Sequence, residues 1–151
     1  MIEKNIIKIA VLDLYAGAPN EGMRCIRELL NQFTESTSVG VIWDEFEVRN
    51  KQQVPGLEYD IYISSGGPGS PLDSEGTEWE KKYFNWLYQV EKWNHDPTKL
   101  SKKYIFLICH SFQLVCRHHK IADVTKRNQR HLEYSRFTCS TMEKQNLFLP
   151  G

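Results

Sequence analysis

The sequence predicts an α/β fold built on a mainly parallel sheet. Apolar, strand-like runs alternate along the chain with segments whose apolar residues recur at helical spacing. The strand-like runs are short and almost continuously apolar, which is typical of strands buried on both faces of a parallel sheet. With 151 residues, of which 40% are hydrophobic and 25% charged, the chain has the size and composition of one globular domain. We therefore predict a single domain over residues 1–151.

The first half of the chain is predicted to form a strand, a helix and two further strands. Residues 6–12 are a β-branched apolar run, which indicates a buried strand. Residues 23–33 carry apolar side chains at helical spacing. Residues 39–48 and 60–65 return to strand-like patterns, and the second of these runs leads directly into a glycine-rich segment.

The second half continues the alternation. Residues 77–93 are predicted to form a helix, residues 104–108 an apolar strand, and residues 111–119 a third helix. The rest of the chain is less periodic. We predict one or two strands there, around Val124 and around residues 135–140.

The overall charge and the cysteine spacing exclude several classes of protein. Lys plus Arg and Asp plus Glu are 19 each, so the chain lacks the basic excess of a nucleic-acid-binding or anionic-membrane-binding protein. No apolar stretch is long enough for a membrane span, and the N-terminus does not have the pattern of a signal peptide, so we expect a cytoplasmic protein. The cysteines form no C-x-x-C pair or zinc pattern, and we predict neither a metal nor a cofactor. They are Cys25, Cys109, Cys116 and Cys139.

Cys109 has the position of a nucleophile. It ends an apolar strand, and a helix is predicted to begin within one or two residues. A side chain on such a strand-to-helix turn projects from the top of the sheet, as in the nucleophile elbow of hydrolases. The N–H groups of the following helix favour a thiolate, and the N–H of His110 would face an oxyanion formed by attack of Cys109. The alternative is a buried structural thiol.

A second unusual segment follows the third predicted strand. Residues 64–71 read Ser-Ser-Gly-Gly-Pro-Gly-Ser-Pro, and successive glycines let a backbone turn its N–H groups toward a bound group. No Gly-Lys-Ser/Thr follows, so the segment is not a P-loop. Taken alone, it also fits an ordinary turn between a strand and a helix.

Together the two segments resemble the class I (triad-type) glutamine amidotransferases, and the GMP-synthase-like subgroup most of all. In that family a Ser-Gly-Gly-Pro-Gly-Ser loop precedes a Gly-x-Cys-x-Gly-x-Gln elbow by a few dozen residues. Here residues 65–70 match the loop and residues 107–113 match the elbow in part. Asp13 near the end of the first strand, and Asp44 and Glu45 at the end of the second, are also similar to the family.

The resemblance implies a three-layer αβα sandwich with a flavodoxin-like sheet, and it implies a reaction. Cys109 would attack the side-chain amide of glutamine, form a γ-glutamyl thioester and release ammonia to a synthase subunit. The backbone N–H groups of Gly67 and His110 would form the oxyanion hole. Gly66 and Gln113 would bind the substrate glutamine.

The sequence departs from the family at the elbow and at the base. Leu107 and Ser111 stand where the family has glycine, although Ser111 is small and could cap the helix that follows. The family's His-Pro-Glu segment does not occur in the 151 residues, and each histidine is better interpreted as a surface or partly buried residue than as the base. The histidines are His95, His110, His118, His119 and His131.

The chain is expected to be a truncated domain, because the apolar residues 146–151 resemble a phrase that leads into the last third of the family's domain. A sheet without its last strands would expose an edge, and a homodimer would cover it. Two alternatives to an active amidotransferase domain remain. One is a related Cys-elbow hydrolase of the γ-glutamyl hydrolase type, and the other is a catalytically decayed homologue that acts as a binding or regulatory module.

Overall fold

The computed structural model describes residues 6–126. In this part of the chain, strands and helices follow one another in the predicted order. The strands are β1 (Ile6–Asp13), β2 (Gly40–Glu47), β3 (Ile61–Ser64) and β4 (Tyr104–Leu107), and the helices are α1 (Glu21–Ser36), α2 (Glu78–His95) and α3 (His110–His118).

The four described strands form one parallel sheet in the order β2-β1-β3-β4. The chain adds β2 on one side of β1 and then crosses to the other side of β1 to add β3 and β4, as in flavodoxin-like sheets. The predicted α/β class with a mainly parallel sheet is therefore confirmed. Because all strands run the same way, the loops after β1, β3 and β4 emerge at one edge of the sheet, and candidate site residues from distant parts of the sequence meet there.

Helices pack against both faces of the sheet, because alternate residues of a strand face opposite sides. Ile9 and Val11 of β1 belong to one apolar core, and Ala10 and Leu12 belong to another. Burying one such leucine contributes about 1.5–3 kcal/mol. The first core contains Met23 and Leu30 of α1, and the second contains Tyr83, Trp86, Leu87 and Val90 of α2 together with Leu114 of α3.

Local sequence explains where α1 begins. The Asn20 side chain accepts a hydrogen bond from the N–H of Met23 at 2.7 Å, which satisfies one of the N–H groups that a helix leaves unpaired at its start. Glu21 in the first turn adds a negative charge at the positive end of the helix dipole. The helix therefore begins two residues before the predicted start at Met23.

The sheet differs from the predictions in two places. β2 continues past Asp44 and Glu45 to Glu47, so these two acidic residues lie inside the strand rather than at its end. Val124 lies in irregular chain after α3 and not in a strand. The other strand predicted in this region, at residues 135–140, lies outside the described residues.

β4 is the last strand of the described sheet on its side, and two of its large side chains are exposed. Tyr104 and Phe106 point away from the α2 and α3 face and are 67% and 63% exposed. No helix within residues 6–126 is long and apolar enough to cross a membrane.

Candidate functional site

Cys109 lies on a sharp strand-to-helix turn. β4 ends at Leu107, α3 begins at His110, and the Cys109 backbone between them has φ 50° and ψ −100°. A positive φ is uncommon outside glycine, and such a conformation costs about 1–3 kcal/mol. The thiol is exposed at the top of the sheet. Cys109 therefore has a strained backbone at the start of a helix, which is the position of the nucleophile in a nucleophile elbow.

The glycine-rich loop lies beside this thiol, because β3 pairs directly with β4. A Cβ atom placed on Gly66 would lie only 3.7 Å from the Cβ of Cys109. It would also lie 3.0 Å from the hydroxyl of Tyr15, which follows β1. The missing side chain at Gly66 therefore leaves the thiol open to a ligand and makes room for the phenol.

Tyr15 is a member of this site that the sequence interpretation missed. Its hydroxyl lies between Gly66 and Gly22 of α1, where an added Cβ would come within 2.5 Å of it. Burial raises the pKa of the Tyr15 phenol, and the charges of Cys109 and Asp13 raise it further. The phenol therefore stays protonated at neutral pH and can donate a hydrogen bond next to the thiol.

Gly67 is held more tightly than Gly66. A Cβ atom on Gly67 would lie 2.5 Å from the carbonyl oxygen of Leu14 and 2.9 Å from Nη2 of Arg49. Real Cβ atoms do not approach backbone oxygens this closely, so only glycine fits without moving the loop.

The loop is also anchored at both ends. At its start, the Ser65 hydroxyl accepts a hydrogen bond from the N–H of Leu14 at 2.9 Å. At its far end, the guanidinium of Arg117 in α3 donates to the carbonyl of Pro71 and pairs with Glu80 of α2 at 2.5 Å. These contacts tie the loop to β1, α2 and α3.

His110 points away from the thiol and into the protein. It is 2% exposed, and its Nε2 lies 2.8 Å from Nη2 of Arg49. Because arginine only donates, Nε2 accepts this hydrogen bond, and the neutral ring carries its proton on Nδ1. Burial and the charges of Arg49 and Arg117 lower the pKa of His110 to about 4, so the ring is neutral at pH 7.

Ser111 and Leu107 occupy the elbow positions at which the sequence departs from the family. The Ser111 hydroxyl is fully buried, accepts a hydrogen bond from the N–H of Ile108 at 2.9 Å and donates to the carbonyl of Ser64 at 2.8 Å. It therefore joins the end of β4 to the end of β3, and the expectation that it caps α3 is wrong, because Cys109 holds the N-cap position. Leu107 pairs with Ser64 as the last residue of β4, so the turn forms with leucine at this place.

The other described histidines lie away from Cys109. His95 contacts the Glu91 carbonyl through Nδ1, and His119 lies 2.9 Å from the Glu91 carboxylate. His118 stacks on Phe84 with ring centroids 3.9 Å apart. His131 lies outside the described residues.

Gln113 stands on the first turn of α3. Its N–H donates to the carbonyl of Cys109 at 3.0 Å, and its side chain is half-buried. The structure thus brings Cys109, Gly66 and Gln113 to one end of the sheet. Gly67 and His110 flank them, and the Arg49 side chain contacts both.

A separate cavity of about 430 Å³ opens at the ends of β1 and β2. Cys109 does not line it. Arg27 and Glu45 on its wall form a bidentate pair at 2.5 and 2.7 Å. Glu47 accepts hydrogen bonds from the backbone N–H groups of residues 49–51. Burial is the main reason that the pKa of Asp13, also on this wall, is raised. An ion pair and backbone N–H groups thus engage the carboxylates of the cavity, including Asp13, which accepts from the N–H of Tyr15.

Among residues 6–126, no group of three or more His, Cys, Asp or Glu side chains is arranged to hold a metal ion. No protein-family model matches this chain, and no curated protein matches it.

Proposed function

We propose that this protein is a glutamine amidotransferase domain in which Cys109 is the nucleophile. The observation that carries the proposal is the turn at Cys109. The backbone of Cys109 has φ 50° just before α3, and its thiol is exposed. A Cβ atom on Gly66 would lie 3.7 Å from the Cβ of Cys109, so the absence of a side chain there leaves space beside the thiol. The loop and elbow motifs in the sequence support the same reaction.

In the first half-reaction the sulfur of Cys109 bonds to the side-chain amide carbon of glutamine, and the carbonyl electrons move to oxygen. The N–H groups of Gly67 and His110 hold that oxyanion. The His110 N–H is free for this role because it lies in the first turn of α3, where an N–H has no acceptor within the helix. Collapse of the adduct breaks the C–N bond. The amide nitrogen takes up the proton lost by the thiol and leaves as ammonia, and a γ-glutamyl thioester remains.

In the second half-reaction water attacks the thioester, so that glutamate leaves and the thiol is restored. Gly66 and Gln113 bind the glutamine in this proposal, and the Tyr15 phenol adds a hydrogen-bond donor beside the sulfur. The ammonia passes to a synthase subunit. The protein needs no cofactor for this reaction, and a free thiol nucleophile suits the reducing cytoplasm.

A second candidate is a binding or regulatory module of the same fold without catalysis. The placement of the histidines favours it: the four in residues 6–126 all have partners away from Cys109. A thiol attacks as its thiolate, so a base beside the sulfur would raise the rate.

A glutamine-mimicking electrophile separates the two candidates. We expect it to label the full chain at Cys109, with mass spectrometry locating the adduct, and we expect Cys109→Ala to reduce labelling by about 1000-fold or more. Cys25→Ala is the matched control, because Cys25 is an exposed thiol on α1. Labelling that survives in Cys109→Ala, or that free glutamine does not slow, would contradict the enzyme proposal.

We also propose that two copies associate through β4. The exposed Tyr104 and Phe106 side chains form the apolar surface that a second copy would cover. A monomer at high concentration in analytical ultracentrifugation would rule this association out.

A further inference from the structure

We propose that Arg49 is a positioning residue that fixes the spacing between the two N–H donors of the oxyanion hole, those of Gly67 and His110. This inference rests on the proposed function and names a residue to which neither motif points. Arg49 follows β2, more than a dozen residues before the glycine-rich loop.

The guanidinium of Arg49 contacts both halves of the oxyanion hole. Nη2 donates to Nε2 of His110 at 2.8 Å, and Nη1 donates to the carbonyl of Pro68 at 2.9 Å. Pro68 is the residue next to Gly67, and a Cβ on Gly67 would lie 2.9 Å from Nη2. One rigid, planar group therefore lies between the loop and the start of α3.

The contact with His110 links the loop to the start of α3. Because Nε2 accepts from Arg49, the neutral ring carries its proton on Nδ1. Arg49 therefore holds the loop at Pro68 and α3 at His110. A shift of Arg49 would move both halves of the hole relative to each other.

The surroundings of Arg49 indicate that this placement is costly. Its Nε is buried and has no hydrogen-bond partner among residues 6–126, and its guanidinium lies 5.2 Å from the centre of the Trp79 ring. Burial also lowers the pKa of Arg49. A buried unpaired donor and a partly desolvated charge both destabilise the folded state. An apolar side chain would fill this space without an unpaired donor or a buried charge. Binding two acceptors at once, by contrast, requires the forked guanidinium of an arginine.

Positioning can be separated from general stability by comparing two reactions of the same thiol. Acyl transfer from an activated γ-glutamyl ester to Cys109 creates an oxyanion, whereas alkylation by iodoacetamide displaces iodide and creates none. Both rates are measured on the folded full chain by mass spectrometry. The ratio of the acylation rate to the alkylation rate reports the oxyanion hole alone.

We expect Arg49→Met to lower the acylation rate about 10- to 100-fold and to change alkylation by less than about 3-fold, because displacements near 1 Å have effects of this size. Arg49→Lys keeps the charge but offers one ammonium for two acceptors, so we expect acylation at least about 5-fold below wild type. Arg24→Met is the matched control and should behave as wild type, since Arg24 is an exposed α1 residue paired with Glu21.

Variants of His110 provide an independent test. His110→Gln retains an acceptor for Arg49 and should acylate faster than His110→Leu, which has none. The double variant of Arg49→Met and His110→Leu should be no slower than the slower single variant, because both changes remove the same contact. In the wild type, ¹⁵N NMR should find His110 neutral with its proton on Nδ1 at pH 7.

The possible failures are distinct. A wild-type chain that is not acylated at Cys109 would overturn the proposed function. A wild-type chain that is acylated, together with an unchanged ratio in Arg49→Met, full activity in Arg49→Lys or additive losses in the double variant, would overturn the role of Arg49 alone.

Discussion

The two halves of the upper edge of the sheet differ in what they offer a ligand. The half formed by the ends of β1 and β2 has the cavity of about 430 Å³ and several charged side chains. The half formed by the ends of β3 and β4 has the strained thiol of Cys109 and the glycine-rich loop. The cavity and the proposed nucleophile therefore lie in different halves of this edge.

The reason for the separation lies in how each half satisfies its polar groups. In the β1/β2 half, Glu47 binds backbone N–H groups and Glu45 binds Arg27, so these charges stabilise the local structure. In the β3/β4 half, the Ser65 hydroxyl binds the Leu14 N–H, and Arg49, which follows β2, binds the Pro68 carbonyl, so these contacts hold the loop beside the exposed sulfur of Cys109. The cavity is therefore separate from the proposed nucleophile, and the following changes test this separation.

The largest effect is expected from Gly67→Ala in the β3/β4 half. The new Cβ would lie 2.5 Å from the Leu14 carbonyl oxygen, so the loop must move. We expect acylation of Cys109 by an activated γ-glutamyl ester to fall about 100-fold, the loss typical of one oxyanion-hole donor. Gly56→Ala is the control, because its Cβ would meet only the flexible end of the Glu58 side chain. An acylation rate equal to that of the wild type in Gly67→Ala would show that the Gly67 N–H does not bind the oxyanion.

A pH effect on stability is expected from His110, which follows Cys109. Its pKa is lowered to about 4 from 6.5, so the unfolded chain takes up the proton first as the pH falls. Stability from this group is present above about pH 6.5 and decreases down to about pH 4, by roughly 3 kcal/mol. Urea unfolding from pH 7 to pH 4 measures the change. His110→Gln should lack this component, and an identical pH profile in that variant would refute the assignment.

Ser111→Ala should have a smaller effect, confined to stability. The change removes one of two acceptors of the Ile108 N–H, which also donates to the Ser64 carbonyl at 2.9 Å, and it removes the hydroxyl that donates to that carbonyl. Both groups keep a partner, so we expect a loss of about 0.5–1.5 kcal/mol in the free energy of unfolding, measured with urea. Ser36→Ala at the exposed end of α1 should change it by less than about 0.5 kcal/mol. Equal losses in the two variants would show that the junction is not special.

The smallest effect is expected from Glu45→Gln in the β1/β2 half. It removes a bidentate pair with Arg27 whose side chains are 29% and 46% exposed, so stability should fall by about 0.2–1 kcal/mol. Acylation of Cys109 should stay within about 2-fold of wild type, because the pair lies in the other half. If the acylation rate fell as much as in Gly67→Ala, the two halves would not differ in their role at Cys109.

The sequence by itself determined the parallel α/β fold and the order of its elements through residue 118. Apolar runs and helical spacing are local patterns, and burial on two faces of a sheet imposes them on each segment separately. The motifs also placed Cys109 and the glycine-rich loop at strand ends. The strand predicted around Val124 was wrong, because β propensity depends on pairing and packing, and no described strand pairs with this run.

Only the tertiary structure decided which side chains surround Cys109. Arg49 is 61 residues from His110 in sequence, and the Ser111 hydroxyl binds a carbonyl 47 residues away. Tyr15 comes next to Gly66 because β1 and β3 are neighbours, which no local pattern around Tyr15 indicates. Parallel strands bring their carboxyl ends together regardless of the length of chain between them, so the partners of the thiol are set by the strand order β2-β1-β3-β4.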